Sequence, residues 1–386
     1  MMAIPFGCLG VAILVLGSLG CGGASQLRDG GSGGDGGGPD GSGGSPDARP
    51  GSLRTMVYVG GSDAQIHAFV LDRETLALAP AGNTSAGNDP SFIAFDPAAR
   101  WLVAVDESAG RVDSFTIDAQ SGALSPRDNA GSGGDGPTHV SLDRTGAWVL
   151  VADYTSGNAA VLPISGAGDF GTATATVSPG ANAHQIVADP SNKNIYVPCL
   201  GDDHVARYSF DASAGTLTAR TPTASPAGAG PRHIALHPDG KFAYVMNELT
   251  SNISMFSIAS DGSLASLGAI STLPGGFNGA NTGAEIEVHP SGKFVYSSNR
   301  GHNSIAVFAV GADGKLTAKG HAPTGGANPR HFSLVLGGKG LLVANQTGGN
   351  IVGFHIDAAS GALTSVGELT QVPGPAFVGA IDLPAP

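Results

Sequence analysis

The chain predicts an all-β protein, a seven-bladed β-propeller closed by its C-terminal strand joining the N-terminal blade. Three observations predict it. An aromatic or Leu landmark recurs at Phe69, Phe115, Leu162, Tyr208, Phe256, Phe308 and Phe354, at steps of 46, 47, 46, 48, 52 and 46 residues. An earlier strand in each unit opens at Ser91, Thr138, His184, Arg232, Ala284, Arg330 and Ala376, at steps of 47, 46, 48, 52, 46 and 46. Short strands repeating every ~40–50 residues mark propeller blades, because no single unit can bury both faces of its own sheet. The ends of the chain supply the third observation. The pattern starts at Met56 with no inner strand before it, and stops after an inner strand at 376–382 with no outer strands behind it. Each end holds what the other lacks, and joining them removes the sheet edges that invite aggregation.

Taken in order, residues 1–21 read as an export signal. An apolar run at 9–19 (LGVAILVLGSL) is too short to span a bilayer as a helix and suits a signal-peptide core. Cys21 follows, and the segment resembles a bacterial lipoprotein signal, with Cys21 as the lipidated residue. Residues 22–52 form a Gly-, Ser- and Asp-rich linker that cannot bury apolar surface. Residues 53–386 are the propeller domain. Cys8 falls in the signal, so Cys199 alone remains in the domain and makes no intrachain disulfide or thiolate metal site.

Composition agrees. With 61 Gly and only 13% charged residues, the chain suits short strands and tight turns. A net charge of -12 with no basic stripe excludes nucleic acid as a partner. Within the units, HPDG (237–240) and HPSG (289–292) reverse the chain after the inner strand. The inner strand runs down the axis and the next strand returns, so the start of the first and the end of the second share one face. The inner-strand starts are the seven residues named above. One residue further come Phe92, His139, Gln185, His233, Glu285, His331 and Phe377. The second-strand ends are Glu107, Tyr154, Leu200, Glu248, Arg300 and Gln346, with Gly61 as the approximate match in the first unit.

Three Arg mapping to one rim is notable in a chain with 19 Lys and Arg. Guanidinium groups are wanted where a carboxylate or phosphate is held or an oxyanion develops. His184 or Glu248 supplies a group for proton transfer. A polar plug of paired Arg and Glu is the rival explanation of the set. For His139, His233 and His331, strand alternation turns the side chain away from its neighbour, which points to hydrogen bonding between blades. His237 and His289 read as turn residues. The Asp-Gly turns at 261–262 and 313–314 lack the oxygen ligands of a calcium loop, and no metal or other cofactor is expected.

The stretches RHIALHPDGKFAYVMNEL (232–249), EIEVHPSGKFVYSSNRG (285–301), PTGG (323–326), PRHF (329–332) and LLVANQ (341–346) resemble the lactonase family typified by the propeller-type 6-phosphogluconolactonase. The resemblance spans about residues 56–382. In relatives that cyclise muconates, the site residues correspond to His184, Arg232, Glu248 and Arg300, the same set the repeat alignment places on one face.

The resemblance implies a metal-independent lactonase acting on a sugar-type or carboxylated lactone. Its expected catalytic residues are His184, Arg232, Glu248 and Arg300. Arg330, Glu285, His233, His331 and Gln346 are expected to bind substrate. The rival functions are an envelope binding or scaffold propeller without catalysis, and a cycloisomerase running the same face in the ring-closing direction. The expected partner is a small-molecule lactone, with membrane contact only through a lipid anchor on Cys21. The chain is expected to be a monomer in the periplasm or cell envelope, or secreted if Cys21 is not lipidated.

Overall fold

The computed structural model describes residues 53–384. The expected signal, the lipidation site Cys21 and the linker all lie outside the described residues. Seven four-stranded antiparallel sheets form the ring. Six of them take their strands in simple sequence order from the axis outward. Blade 1 instead takes Leu53–Gly61, Gln65–Leu71 and Leu78–Ser85 from the start of the domain and its inner strand, Pro375–Pro384, from the end. That inner strand runs antiparallel to the first one, pairing Leu53 with Pro384 at one end and Gly61 with Pro375 at the other. Asp382 of the closing strand accepts hydrogen bonds from Thr55 and Arg73, which pins the seam with side chains as well as backbone. The helical pieces among the described residues are two three-residue 3-10 turns, Glu107–Ala109 and Leu336–Gly338.

Period-two alternation sends each strand's side chains into the gaps toward both neighbouring blades, so the core is a set of seams between blades. Met56, Tyr58 and Ile66 of blade 1, for example, pack with Leu102, Ala104 and Phe115 of blade 2 (residues 93–131). Several seams also carry a buried Tyr that reaches the outer hairpin of the next blade. Tyr58, Tyr196, Tyr244 and Tyr296 donate to the carbonyls of Gly122, Gly262, Gly314 and Gly361 at 2.7, 2.7, 3.0 and 2.9 Å. Each of those Gly has φ between 74° and 81°. A Cβ on Gly314 would stand 2.2 Å from the Phe242 ring of the preceding blade, so the turn demands Gly for conformation and for space. A buried hydroxyl bond of this kind contributes about 1 kcal/mol. Trp148 does the same job from blade 3, donating to Ala212 at 2.8 Å.

The inner strands share a second feature, and it shapes the site. At their upper ends the ladder skips a residue. Register shifts fall between Pro137 and His139, Pro231 and His233, and Pro329 and His331, which makes Thr138, Arg232 and Arg330 the bulged residues. In blade 6 (residues 282–323) the skipped pair is Ala284 and Glu285, and at the seam of blade 1 it is Ala376. In blade 4 the ladder gives way altogether. Its inner strand is only Val187–Ala188, with an isolated bridge from Ala183 to Cys199, so the strand expected from His184 begins three residues later. Asn182 sits there in the left-handed region at φ 55°, which breaks the strand just before His184. Bulges re-aim side chains, and the bulged Thr138, Arg232, Arg330 and Ala376 all border one recess on the axis.

Candidate active site on the propeller axis

These bulged residues share with Ser91 and His184 a recess that is also lined by Phe92, His233, Glu285 and His331. It is small, with about 200 Å³ of empty space against about 1370 Å³ for an outer groove between blades 4 and 5 that shares no residue with it. The recess is where charge and convergence coincide; the outer groove is the splay between two neighbouring sheets.

Arg232 is 2% exposed. Its Nη1 donates to the Ala284 carbonyl at 2.8 Å, and its Nε stands 3.1 Å from Glu248 Oε2. Glu248 Oε1 lies 3.0 Å from Arg300 Nη2, which itself donates to the Gly283 carbonyl at 2.9 Å. Glu248 thus bridges two guanidiniums by distance, yet neither N–H points along a hydrogen-bond line to it, and Arg232 Nε remains without an aligned acceptor. Burial, with Arg300 nearby, pulls Arg232 down to about 9, so it remains charged at neutral pH. Arg330 makes no aligned side-chain hydrogen bond and no ion pair among the described residues. Burial lowers its pKa, and the charge of Glu107 opposes that fall. Glu107 is held by Ser91 Oγ at 2.7 Å. Three guanidiniums, of Arg232, Arg300 and Arg330, therefore meet the carboxylates of Glu107 and Glu248, with that of Glu285 beneath them.

His184 is 6% exposed, and its ring packs edge-on against Tyr154 at 5.6 Å and His233 at 5.0 Å between centroids. Its Nδ1 is buried without a partner, which leaves Nε2 as the nitrogen open to the recess. Burial, reinforced by the charge of Arg232, pushes its pKa well below the ordinary value, so the imidazole is neutral.

Below lies a collar built from the next residue of each inner strand. Phe92 packs on His139, Phe377 and His331 at centroid distances of 4.3, 4.9 and 5.2 Å. His139 Nδ1 accepts the amide of Ile186 and His331 Nδ1 accepts that of Val378, both at 3.4 Å. Gln185 Oε1 accepts the amide of Ile234 at 2.6 Å. These are the bonds between blades expected of His139 and His331. The expectation that alternation turns the collar residues away from the first ring is corrected. Because Arg232 and Arg330 are the bulged residues, Arg232 and His233, and likewise Arg330 and His331, border the same recess.

The structure thus joins His184, Arg232, Glu248 and Arg300 in one cluster and adds Arg330, Glu285, His233 and His331 to its walls. Gln346 sits apart on the rim, where its Oε1 accepts from Asn328 at 3.2 Å. His237 and His289 are turn residues, each bonded through Nε2 to the carbonyl of a Gly in the next blade at 2.9 Å. Cys199 is buried, and burial pushes its thiol up to about 12, so it is unreactive. Sequence reasoning missed the Ser91–Glu107 pair as part of the charge balance, although both residues stand at the aligned positions.

An all-β ring with an arginine-lined axial recess defines a propeller of the ligand-binding or catalytic kind. Comparison with known proteins makes the class specific: residues 56–380 match the lactonase family of seven-bladed β-propellers, and the chain belongs to that family. The 6-phosphogluconolactonase of Pectobacterium carotovorum is 33% identical over 64% of this chain and 75% of its own length. That of Serratia proteamaculans is 35% identical over 63% of this chain and 74% of its own length. Among solved structures, a periplasmic gluconolactonase from Pseudomonas aeruginosa superposes with a TM-score of 0.80 at 28% identity, covering 86% of this chain and 99% of that one.

Proposed function

We propose that the protein is a lactonase that opens a sugar-type or carboxylated lactone at the axial recess, with side chains alone supplying the chemistry. The observation that carries this reading is the meeting of three guanidiniums and one neutral imidazole around the axial recess. The recess is too tight to swallow a sugar ring, so the substrate lies across its mouth with the lactone carbonyl pointed down the axis. His184 Nε2 takes a proton from the attacking water. Arg232 receives the oxyanion that forms as the water oxygen bonds to the carbonyl carbon. The bond from that carbon to the ring oxygen then breaks, the alkoxide recovers the proton from His184, and a hydroxy acid leaves. Arg330, whose guanidinium makes no aligned hydrogen bond within the protein, holds the carboxylate or another anionic group of the substrate. Glu248 keeps Arg232 and Arg300 in place between turnovers. Export belongs to this proposal and is supported by the likeness to a periplasmic relative, with lipidation at Cys21 resting on the sequence alone.

Titrating acid release from a panel of phosphorylated and unphosphorylated aldonolactones tests the reading, run with and without chelator. Turnover that survives the chelator is expected. A protein that opens none of them, and whose melting temperature no aldonic acid raises, is a scaffold and overturns it.

A further inference from the structure

Blade 4 (residues 187–224) breaks the repeat at one cross-strand pair. In every blade the third strand meets the fourth through two directly opposed residues, the first of them just before the aromatic or Leu landmark. Six blades place there Ala68 with Gly82, Ser114 with Asp128, Val161 with Ala175, Met255 with Gly268, Val307 with Gly320 and Gly353 with Gly367. Blade 4 places Arg207 with Arg220. Like charges directly opposite on a sheet destabilise it, and a charge withdrawn from water needs a partner. Arg207 is 7% exposed and stands where the other blades carry a small or apolar residue.

What Arg207 finds inside the protein is slight. Its Nη1 donates to the Asp261 carbonyl at 2.6 Å, its Nη2 stands 3.9 Å from Asp261 Oδ2, and its Nε has no hydrogen-bond partner among the described residues. The Asp261 carboxylate is 67% exposed and already accepts the amide and hydroxyl of Ser263. Arg220 donates through Nε to Ser209 Oγ at 2.6 Å, and neither it nor Lys193 makes an ion pair among the described residues. All three cations line the outer groove between blade 4 and blade 5 (residues 231–271), which holds about 1370 Å³ of empty space. The second carboxylate of the groove, Asp189, is saturated by the Ser191 hydroxyl, the amides of Lys193 and Asn194, and the Asn194 side chain. We propose that this groove is a second binding site, for a phosphate monoester. Its dianion sits among Arg207, Arg220 and Lys193, and its hydroxylated remainder lies along Ser191, Ser209 and Ser260. Three cations against one loosely held carboxylate favour a dianion over a singly charged phosphodiester. The groove shares no residue with the axial recess, so the site is independent of the lactonase reading.

Isothermal titration of the purified protein at fixed ionic strength tests the site, with glycerol 1-phosphate as the monoester, glycerophosphoglycerol as the diester and sodium chloride as the control. The monoester is expected to bind, and to raise the melting temperature further as its concentration rises. The diester is expected to bind at least about tenfold more weakly. Arg207→Met installs the residue that blade 5 carries at this place, as Met255, and an apolar side chain in place of a buried charge is often neutral for folding. It is expected to weaken the monoester by about 10–100-fold. Arg220→Gln changes an exposed side chain and keeps the test open should Arg207→Met fail to fold; a loss of about three- to tenfold is expected. Arg330→Met strips a cation from the axial recess and is expected to leave monoester affinity within about twofold. A wild type that binds the monoester no better than chloride overturns the proposal, as does an affinity that neither blade 4 substitution moves or that only Arg330→Met removes. A diester that binds as tightly as the monoester overturns it too, and points to a lipid headgroup instead.

Discussion

Blade 5 (residues 231–271) and blade 2 (residues 93–131) present a Glu at the same aligned position and handle it in opposite ways. In blade 5, Glu248 meets a guanidinium from the start of its own inner strand, Arg232, and a second from Arg300. In blade 2, Glu107 meets only the short hydroxyl of Ser91 at 2.7 Å. The backbone plan is shared, yet one blade delivers a buried cation to the axis and the other supplies a counter-charge from the rim. A propeller gives every blade the same seat at the axis; what occupies the seat is left to one or two residues. The seams differ likewise. Blade 5 is latched to blade 6 by the Tyr244 hydroxyl, whereas blade 2 carries Val103 at that place and holds blade 3 through Ser114, which donates to the Gly168 carbonyl at 2.6 Å.

Converting one blade into the other tests this contrast. Arg232→Ser gives blade 5 the inner residue of blade 2, and is expected to lower kcat/KM by about 10²–10³-fold through loss of the oxyanion partner. Circular dichroism should remain that of the ring; activity within tenfold of wild type would mean that Arg232 only fills space. Tyr244→Phe removes the latch that blade 2 never had. Thermal or urea unfolding should show a loss of about 1 kcal/mol with turnover unchanged. A larger loss would show that the seam bonds act together rather than singly. Ser91→Ala is the smallest change, since Glu107 remains at hand to balance Arg330. Less than a twofold change in kcat/KM is expected, read in the same lactone assay; a large fall would make Ser91 part of the chemistry.

The ring and its closure were legible because they depend on spacing alone: the landmarks from Phe69 to Phe354 and the unmatched strands at both ends leave one way to pair Leu53–Gly61 with Pro375–Pro384. The cluster of His184, Arg232, Glu248 and Arg300 was legible for the same reason, since symmetry turns aligned positions into neighbours. What escaped was written in the backbone. A bulge at Arg232 or Arg330 leaves no mark in the pattern of apolar and polar residues, so alternation misdirected His233 and His331. The choice of Arg330 over Arg300 as the guanidinium without an aligned hydrogen bond depends on where single carbonyls fall, as with Gly283, and spacing carries no such detail. The Tyr latches did have a signal, because Tyr196, Tyr244 and Tyr296 each precede an Asp-Gly or Ser-Gly turn by one and a half repeats.

The seam of blade 1 also decides which way the molecule looks. Gly61 and Pro375 pair at the mouth of the recess, and Leu53 and Pro384 pair at the far end of the same nine-residue strand, roughly 27 Å away at about 3.3 Å per residue. Both ends of the propeller domain therefore leave from its underside. Any support gripping the domain through residue 53, whether bead, sensor chip or lipid, is attached beneath the wheel and leaves the hub uncovered for passing solutes.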